Sequence, residues 1–289
     1  MKKRIINIVL VGALFITISL CGCAKEQESL RMVIVPAGSP LEEKERWQPM
    51  VDYLSEEIGI PIELVVTTDF STAIVAMKTG NADIGRFGPF SYVMAVMEAD
   101  VVPLVREVIT KTGKASYKTY IIARGDSGYD SLDDLEGTDF AFVEATSTSG
   151  YLVPLTIFKD EGIDVDTYFR SIQYAGSHDV VIVSVKEGQI DAGASNSNRW
   201  EIALDQNVIE EGELVIIQES GPIPSSPTVV SQYMSDEVST NLLNAYLNMP
   251  MELSDETFGV SEYIQAYDED YDYIRLIAEV LDLDLSEMS

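Results

Sequence analysis

Apolar positions recur along this chain at two different periods, and the alternation between them predicts a layered α/β protein. Residues 31–36 are a short, nearly continuous apolar run, as in a buried strand. A helix follows to about Ile58, with Trp47, Met50, Val51, Leu54 and Ile58 at three- and four-residue spacing. Gly59-Ile-Pro61 ends it, and residues 62–66 form the next expected strand. Asp69 stands at a helix-cap position ahead of Ile74, Val75 and Met77, and that helix stops near Gly80. A short strand at 83–85, a loop over 88–92 and a helix over 92–98 complete a first unit. Strands and helices alternating at such short intervals predict parallel α/β layers.

A second unit repeats the logic. It begins with a strand over 117–124, a helical turn over 131–137 and a strand over 140–143. The run Thr146-Ser-Thr-Ser-Gly150 opens a helix to about 160, a second helix covers 180–187, and a strand covers 190–194. Ile190-Asp-Ala-Gly-Ala194 echoes Ala82-Asp-Ile-Gly85, each just after a lysine and glycine that close a helix. One βαβ scheme is therefore expected twice. Ser220-Gly-Pro-Ile-Pro224 then carries the chain back, and 237–281 is expected to be helical, with apolar spacing at Leu242, Leu243, Tyr246 and Leu247. The expected architecture is two α/β lobes joined by crossings near 115–120 and 221–228. Lobe 1 takes residues 31–116 plus 228–289, lobe 2 takes 117–227, and a ligand cleft lies between them.

The N-terminus changes the picture of where this domain resides. Lys2, Lys3 and Arg4 precede an apolar stretch from Ile5 to Leu20 that is short for a membrane span. It ends in Leu20-Cys21-Gly22-Cys23, the pattern of a bacterial lipoprotein signal, although an ordinary signal peptide or anchor helix shares its first features. The expectation is a signal over 1–22, a lipid on Cys23, a polar tether over 23–30, and a domain held at the outer face of the cytoplasmic membrane. With Cys21 lost and Cys23 lipidated, the mature domain has no thiol or disulfide, so its fold rests on core packing.

Charge excludes one class of partner. Losing three basic residues with the signal leaves 16 basic against 48 acidic, about −32 for the mature chain. Nucleic acid is a poor partner for such a surface, which otherwise reads as a solvated exterior.

Three loops before helices carry candidate chemistry. Ser147-Thr148-Ser149-Gly150 places hydroxyls and amides at a helix N-terminus, where the dipole favours an anion, though the same residues also make an ordinary N-cap. His178, the single histidine, lies in Ala175-Gly-Ser-His-Asp179 before a helix; a lone histidine is more often structural. In the third loop Phe87, Phe90 and Tyr92 are aromatic, and the Tyr92 hydroxyl could face the cleft. No nucleophile–base pattern, phosphate loop with Gly-Lys-Ser/Thr, or histidine-rich metal cluster is present. The expectation is a binding protein, not an enzyme, with no metal or other cofactor.

These motifs, taken in order, resemble those of phosphonate/phosphite-binding proteins of ABC importers, with a type II periplasmic-binding fold. They are Asp69-Phe-Ser-Thr-Ala-Ile, Ala82 to Tyr92, Ser131 to Gly137, Ser147-Thr-Ser-Gly-Tyr-Leu-Val-Pro154, Ala175-Gly-Ser-His178, Asp191 to Asn196, Pro222 to Pro227 and Tyr267 to Ile274. The resemblance implies two mixed-sheet lobes, a monomer, ABC permease partners, and an oxyanion held by Ser147, Thr148, Ser149 and His178. It places Phe70 and Phe87 on the opposite wall, where members that bind 2-aminoethylphosphonate have tyrosines. Where those members hold the amino group with two carboxylates, this chain has Asn198 and Ser226. The expected ligand therefore lacks that cation: phosphite, phosphate, methylphosphonate or a phosphate ester. A sensor module with the same fold and a phosphate-ester hydrolase are the other classes considered.

Overall fold

The computed structural model describes residues 29–35 and 39–283. The signal over 1–22, Cys23 and most of the tether lie outside the described residues. Among the described residues no helix is long and apolar enough to cross a membrane.

The first stretch of chain lays down β1 (Leu30–Ile34), α1 (Pro40–Ile58), β2 (Ile62–Val66), α2 (Phe70–Lys78), β3 (Ile84–Arg86), α3 (Pro89–Glu98) and β4 (Val101–Ile109). β5 (Ser116–Tyr117) leads into β6 (Thr119–Arg124), β7 (Asp139–Phe142), α4 (Val153–Asp160), α5 (Val165–Tyr168), β8 (Ser171–Tyr174), α6 (His178–Lys186), β9 (Ala192–Asn196), α7 (Ser197–Asp205) and β10 (Leu214–Glu219). The return consists of β11 (Ile223–Pro224), β12 (Pro227–Ser231), α8 (Asp236–Leu247), α9 (Met251–Phe258), β13 (Val260–Gln265) and α10 (Asp272–Val280).

Two mixed sheets result. One has six strands in the order β13-β4-β12-β3-β1-β2, the other five in the order β10-β6-β9-β7-β8. In the first, β1 pairs in parallel with β2 and β3, while β12 and β13 pair antiparallel. In the second, β7 runs parallel to β8 and β9, and β6 runs antiparallel to its neighbours. Between the sheets, β5 and β11 pair as a two-stranded ribbon. Each sheet is covered on both faces. Met32, Ile34 and Ile84 pack under α1 and α8, whereas Val33 and Val229 face the cluster of α2, α3 and α10. That alternation is the period-2 geometry of a strand buried on two sides.

Three expectations need correction. Residues 88–92 are not a loop: Gly88 caps α3, Pro89 opens it with its φ already helical, and Tyr92 lies within it. The stretch 237–281 is not one helical region. Gly259, in the left-handed conformation at φ 65, stops α9 and releases β13, which becomes an edge of the larger sheet. The second βαβ strand begins at Ala192, where it pairs with β6, two residues later than expected.

Candidate functional site

Between the two sheets lies a cavity of about 150 Å³. Its floor on the five-stranded side is the loop after β7. There Ser147 Oγ accepts a hydrogen bond from Gly150 N at 3.1 Å and caps a single wide helical turn, Thr148–Leu152. Backbone bonds fix the loop further: Val143 N donates to Gly150 O, Ser147 N to Glu144 O, and Leu152 N to Ser147 O. Glycine is required at 150, because a Cβ there would sit 2.3 Å from Val143 Cγ2 and 2.9 Å from Ser147 Oγ. Ser147, Thr148 and Ser149 are all buried and all line the cavity. Thr148 Oγ1 also accepts from Phe90 N, in the first turn of α3, at 2.8 Å, and so ties the loop to the six-stranded side. The Tyr117 hydroxyl faces Ser149 and Thr148, and burial pushes its pKa up to about 12.

His178 is the first residue of α6 and lines the same cavity. Its Nδ1 lies 3.4 Å from Ser195 Oγ. Burial, with the nearby Arg199 guanidinium, pushes its pKa down to about 3. The imidazole is neutral at physiological pH, and the cation on this wall is Arg199. Residue 199 is placed by Asn196, whose side chain caps α7 by accepting Arg199 N at 2.8 Å. Arg199 Nε donates to Asp179 Oδ1 at 2.7 Å, and Nη2 to Oδ2. Because the chain has one histidine, its ring protons give one readable signal in a nuclear magnetic resonance titration. The expected result is no titration between pH 8 and 5 in the folded protein. A midpoint near the ordinary imidazole value would overturn the neutral assignment. The sign for stability follows: the unfolded chain binds this proton more readily, so stability falls as pH drops below about 6.5.

Of the remaining expected residues, Phe70, at the start of α2, and Asn198, in α7, line the cavity. Phe87 does not: it is fully buried in the core beside Gly85, whose missing Cβ makes room for the ring. Tyr92 does not either. Its hydroxyl donates to Asp268 Oδ1 at 2.6 Å, and its ring packs on Tyr271. The resemblance puts Phe87 on the cleft wall and the loop reading lets Tyr92 face it, but both side chains pack instead in the core under α2, α3 and α10.

Beyond Phe70, the opposite wall holds residues that the sequence reading did not single out. Arg46 and Trp47 of α1, Arg86 of β3 and Glu107 of β4 line the cavity with Glu43. Glu43 bridges two of them, accepting from Arg46 Nη1 at 2.9 Å and Trp47 Nε1 at 3.1 Å. Arg86 Nε donates to Glu107 Oε1 at 2.7 Å, and its guanidinium lies 5.5 Å above the Trp47 ring. A guanidinium has five N–H donors, so each pair leaves donors to spare for a ligand. One signal in the sequence does mark this wall: Arg86 is a lone charge between Gly85 and Phe87 in an otherwise apolar strand.

Two mixed sheets flanking a cleft of hydroxyl and guanidinium donors define a solute-binding protein of the type II periplasmic-binding fold. Residues 32–271 match the family model for the periplasmic substrate-binding protein of phosphonate ABC transporters, and the chain belongs to that family. It is 27% identical over 276 residues to the phosphate-import protein PhnD of Mycolicibacterium smegmatis, covering 88% of this chain and 86% of that one. Among solved structures it resembles a binding-protein component of an ABC phosphonate transporter from Pseudomonas aeruginosa. That match has a TM-score of 0.80 at 24% identity and covers 89% of this chain and 87% of the other. PhnD1 of Prochlorococcus marinus, solved with methylphosphonate, also gives a TM-score of 0.80, at 20% identity, covering 88% of this chain and 98% of that one. The chain is thus a substrate-binding protein of the phosphonate ABC-transporter family.

Proposed function

We propose that this chain is a lipid-anchored, extracytoplasmic binding protein that takes a phosphonate, phosphite or phosphate-type oxyanion without a cationic tail. It closes on that ligand about a hinge and delivers it to its permease. The observation that carries the reading is the buried Ser147–Thr148–Ser149 loop facing Arg46 and Arg86 across one small cavity, with Arg199 beside His178 on its own side. The lobes are residues 31–116 plus 228–289, and 117–227, with β5 and β11 as the crossing ribbon. The Cys23 pattern supplies the anchor, and the working form is a monomer.

Neutral side chains at two positions support a tail-free ligand. Asn198 and Ser226 both line the cavity and neither is charged. An ammonium beside them would forgo charge-assisted bonds there worth roughly 1.5–3 kcal/mol. The acidic exterior is compatible with anion capture, since at physiological salt distant charges are screened over about 8 Å while cleft donors act directly.

Calorimetric titration of the mature chain with phosphite, phosphate, methylphosphonate and 2-aminoethylphosphonate tests this. Tight binding is expected for at least one of the first three, and at least tenfold weaker binding for the aminoethyl compound. Preference for the aminoethyl compound would reject the tail-free assignment, and silence with all four would reject the ligand class.

A further inference from the structure

The loop that carries the hydroxyls begins at Glu144, whose carbonyl accepts from Ser147 N at 3.0 Å. Its side chain lines the same cavity as Ser147, Thr148 and Ser149. The other carboxylates lining that cavity are spoken for: Glu43 by Arg46 and Glu107 by Arg86, while Arg199 is engaged by Asp179 outside the lining. The Glu144 side chain has no hydrogen bond or ion pair to any described residue. Three carboxylates and three guanidiniums line the cavity, so a dianionic ligand would meet no net positive charge there and would meet an unpaired carboxylate directly.

We propose that Glu144 reads the protonation state of the bound oxyanion: its carboxyl group and one ligand oxygen share a single hydrogen. The inference rests on the oxyanion reading given above. The proton balance is simple. If the free ligand is a dianion and Glu144 a carboxylate, binding takes one proton from solvent. If one of the two already carries it, no proton is exchanged, and if both do, binding releases one. The O–H bond to the shared hydrogen is the single bond made or broken. The hydrogen then sits in a charge-assisted O–H···O contact, the strong kind, and the repulsion between two anions is removed.

The environment supports this assignment. Burial, with the negative charge of Asp69 across the cleft, pushes the Glu144 pKa up to about 7, so the group is poised to gain or lose its proton near neutrality. The other charged groups facing the cavity are paired: Arg46 with Glu43, Arg86 with Glu107, and Arg199 with Asp179. His178 is pushed down to about 3 and Tyr117 up to about 12. At Asp69, burial acts upward, but bonds from Thr72 and Thr68 outweigh it and hold the carboxyl below its ordinary value.

The test is calorimetric titration of the mature chain with methylphosphonate from about pH 6 to 9. Each point is repeated in two buffers of different ionisation enthalpy, which reports protons taken up. The expected result is uptake approaching one proton at the alkaline end, with affinity falling there by about tenfold per pH unit. Glu144→Gln keeps the size and a donor, and should bind at high pH with no uptake and a flat profile. Negligible uptake by the unaltered protein at the alkaline end overturns the inference without recourse to any variant. Equal uptake by protein and variant also overturns it, while leaving the ligand class intact. Absence of binding by all four oxyanions overturns the ligand class and this inference together.

Discussion

Replacing Arg86 by Met is expected to cost about 3 kcal/mol of folding stability, the low end of the range for a buried ion pair, since Glu107 is buried while the Arg86 side chain keeps 29% of its surface exposed. Arg86 lies on β3, and its guanidinium reaches past β12 to Glu107 on β4, with Nε donating to Oε1 at 2.7 Å and Nη2 in ion-pair contact with the same oxygen at 2.7 Å. Glu107 is buried, so the variant leaves a carboxylate without its ion-pair partner. Loss of the guanidinium over Trp47 adds a smaller term, about 0.5–2 kcal/mol. For a chain of this size the melting temperature should fall by roughly 10 °C. The double replacement Arg86→Met with Glu107→Gln separates two roles. It removes the orphaned charge and should recover most of the stability, because neutral residues often replace a buried pair at little cost. It should not recover ligand affinity, since Arg86 also faces the cavity. Thermal unfolding and calorimetric titration of the two variants give both numbers. A single variant losing less than about 1 kcal/mol would mean the pair is solvated and contributes little.

The contrast between these two walls explains what the sequence could reveal. The Ser147–Gly150 loop was legible because local rules dictate it: hydroxyls at a helix start, a glycine where a Cβ would strike Val143, and an apolar strand just before. His178 at the head of α6 was legible for the same reason, with Ser177 as its cap. The arginine wall is assembled from α1, β3 and β4, and no local rule joins residues 46, 86 and 107. Acidic residues are so abundant that Glu43, Glu107 and Glu144 carry no signal by composition. The scarcer basic residues do, and Arg86 inside a buried strand was the place to look. The histidine's charge state was hidden because it depends on Arg199, twenty-one positions away, and on closure of the cavity around the ring. For the fold, the alternation of strands and helices came through from β1 to α3 and again at β6, β7, α4, α6 and β9. β13 was lost because its six residues sit between two helical patterns, and only Gly259 marks the break.

Changing Ser147, Thr148 and Ser149 together to Ala should lower oxyanion affinity by about 10²–10⁴-fold. Hydrogen bonds to a charged partner contribute roughly 1.5–3 kcal/mol each, so two lost donors already account for that span, at about 1.4 kcal/mol per tenfold. The loop itself should persist, because its backbone bonds from Val143, Ser147 and Leu152 do not use the hydroxyls, and Gly150 still allows the tight approach. Some stability is lost nonetheless. Gly150 N forfeits the Ser147 Oγ acceptor and Phe90 N forfeits Thr148 Oγ1, at about 0.5–1.5 kcal/mol each. Affinity is therefore to be measured well below the melting point, alongside Thr148→Val, which removes the Phe90 contact but keeps two of the three hydroxyls. If the loop is a ligand site, the triple variant loses far more affinity than Thr148→Val, although both lose the bond between the sheets. If it is only a cap, both variants melt earlier and bind as the unaltered protein does. That second outcome would move the oxyanion to the arginine wall, with the hydroxyls reduced to holding the turn in shape.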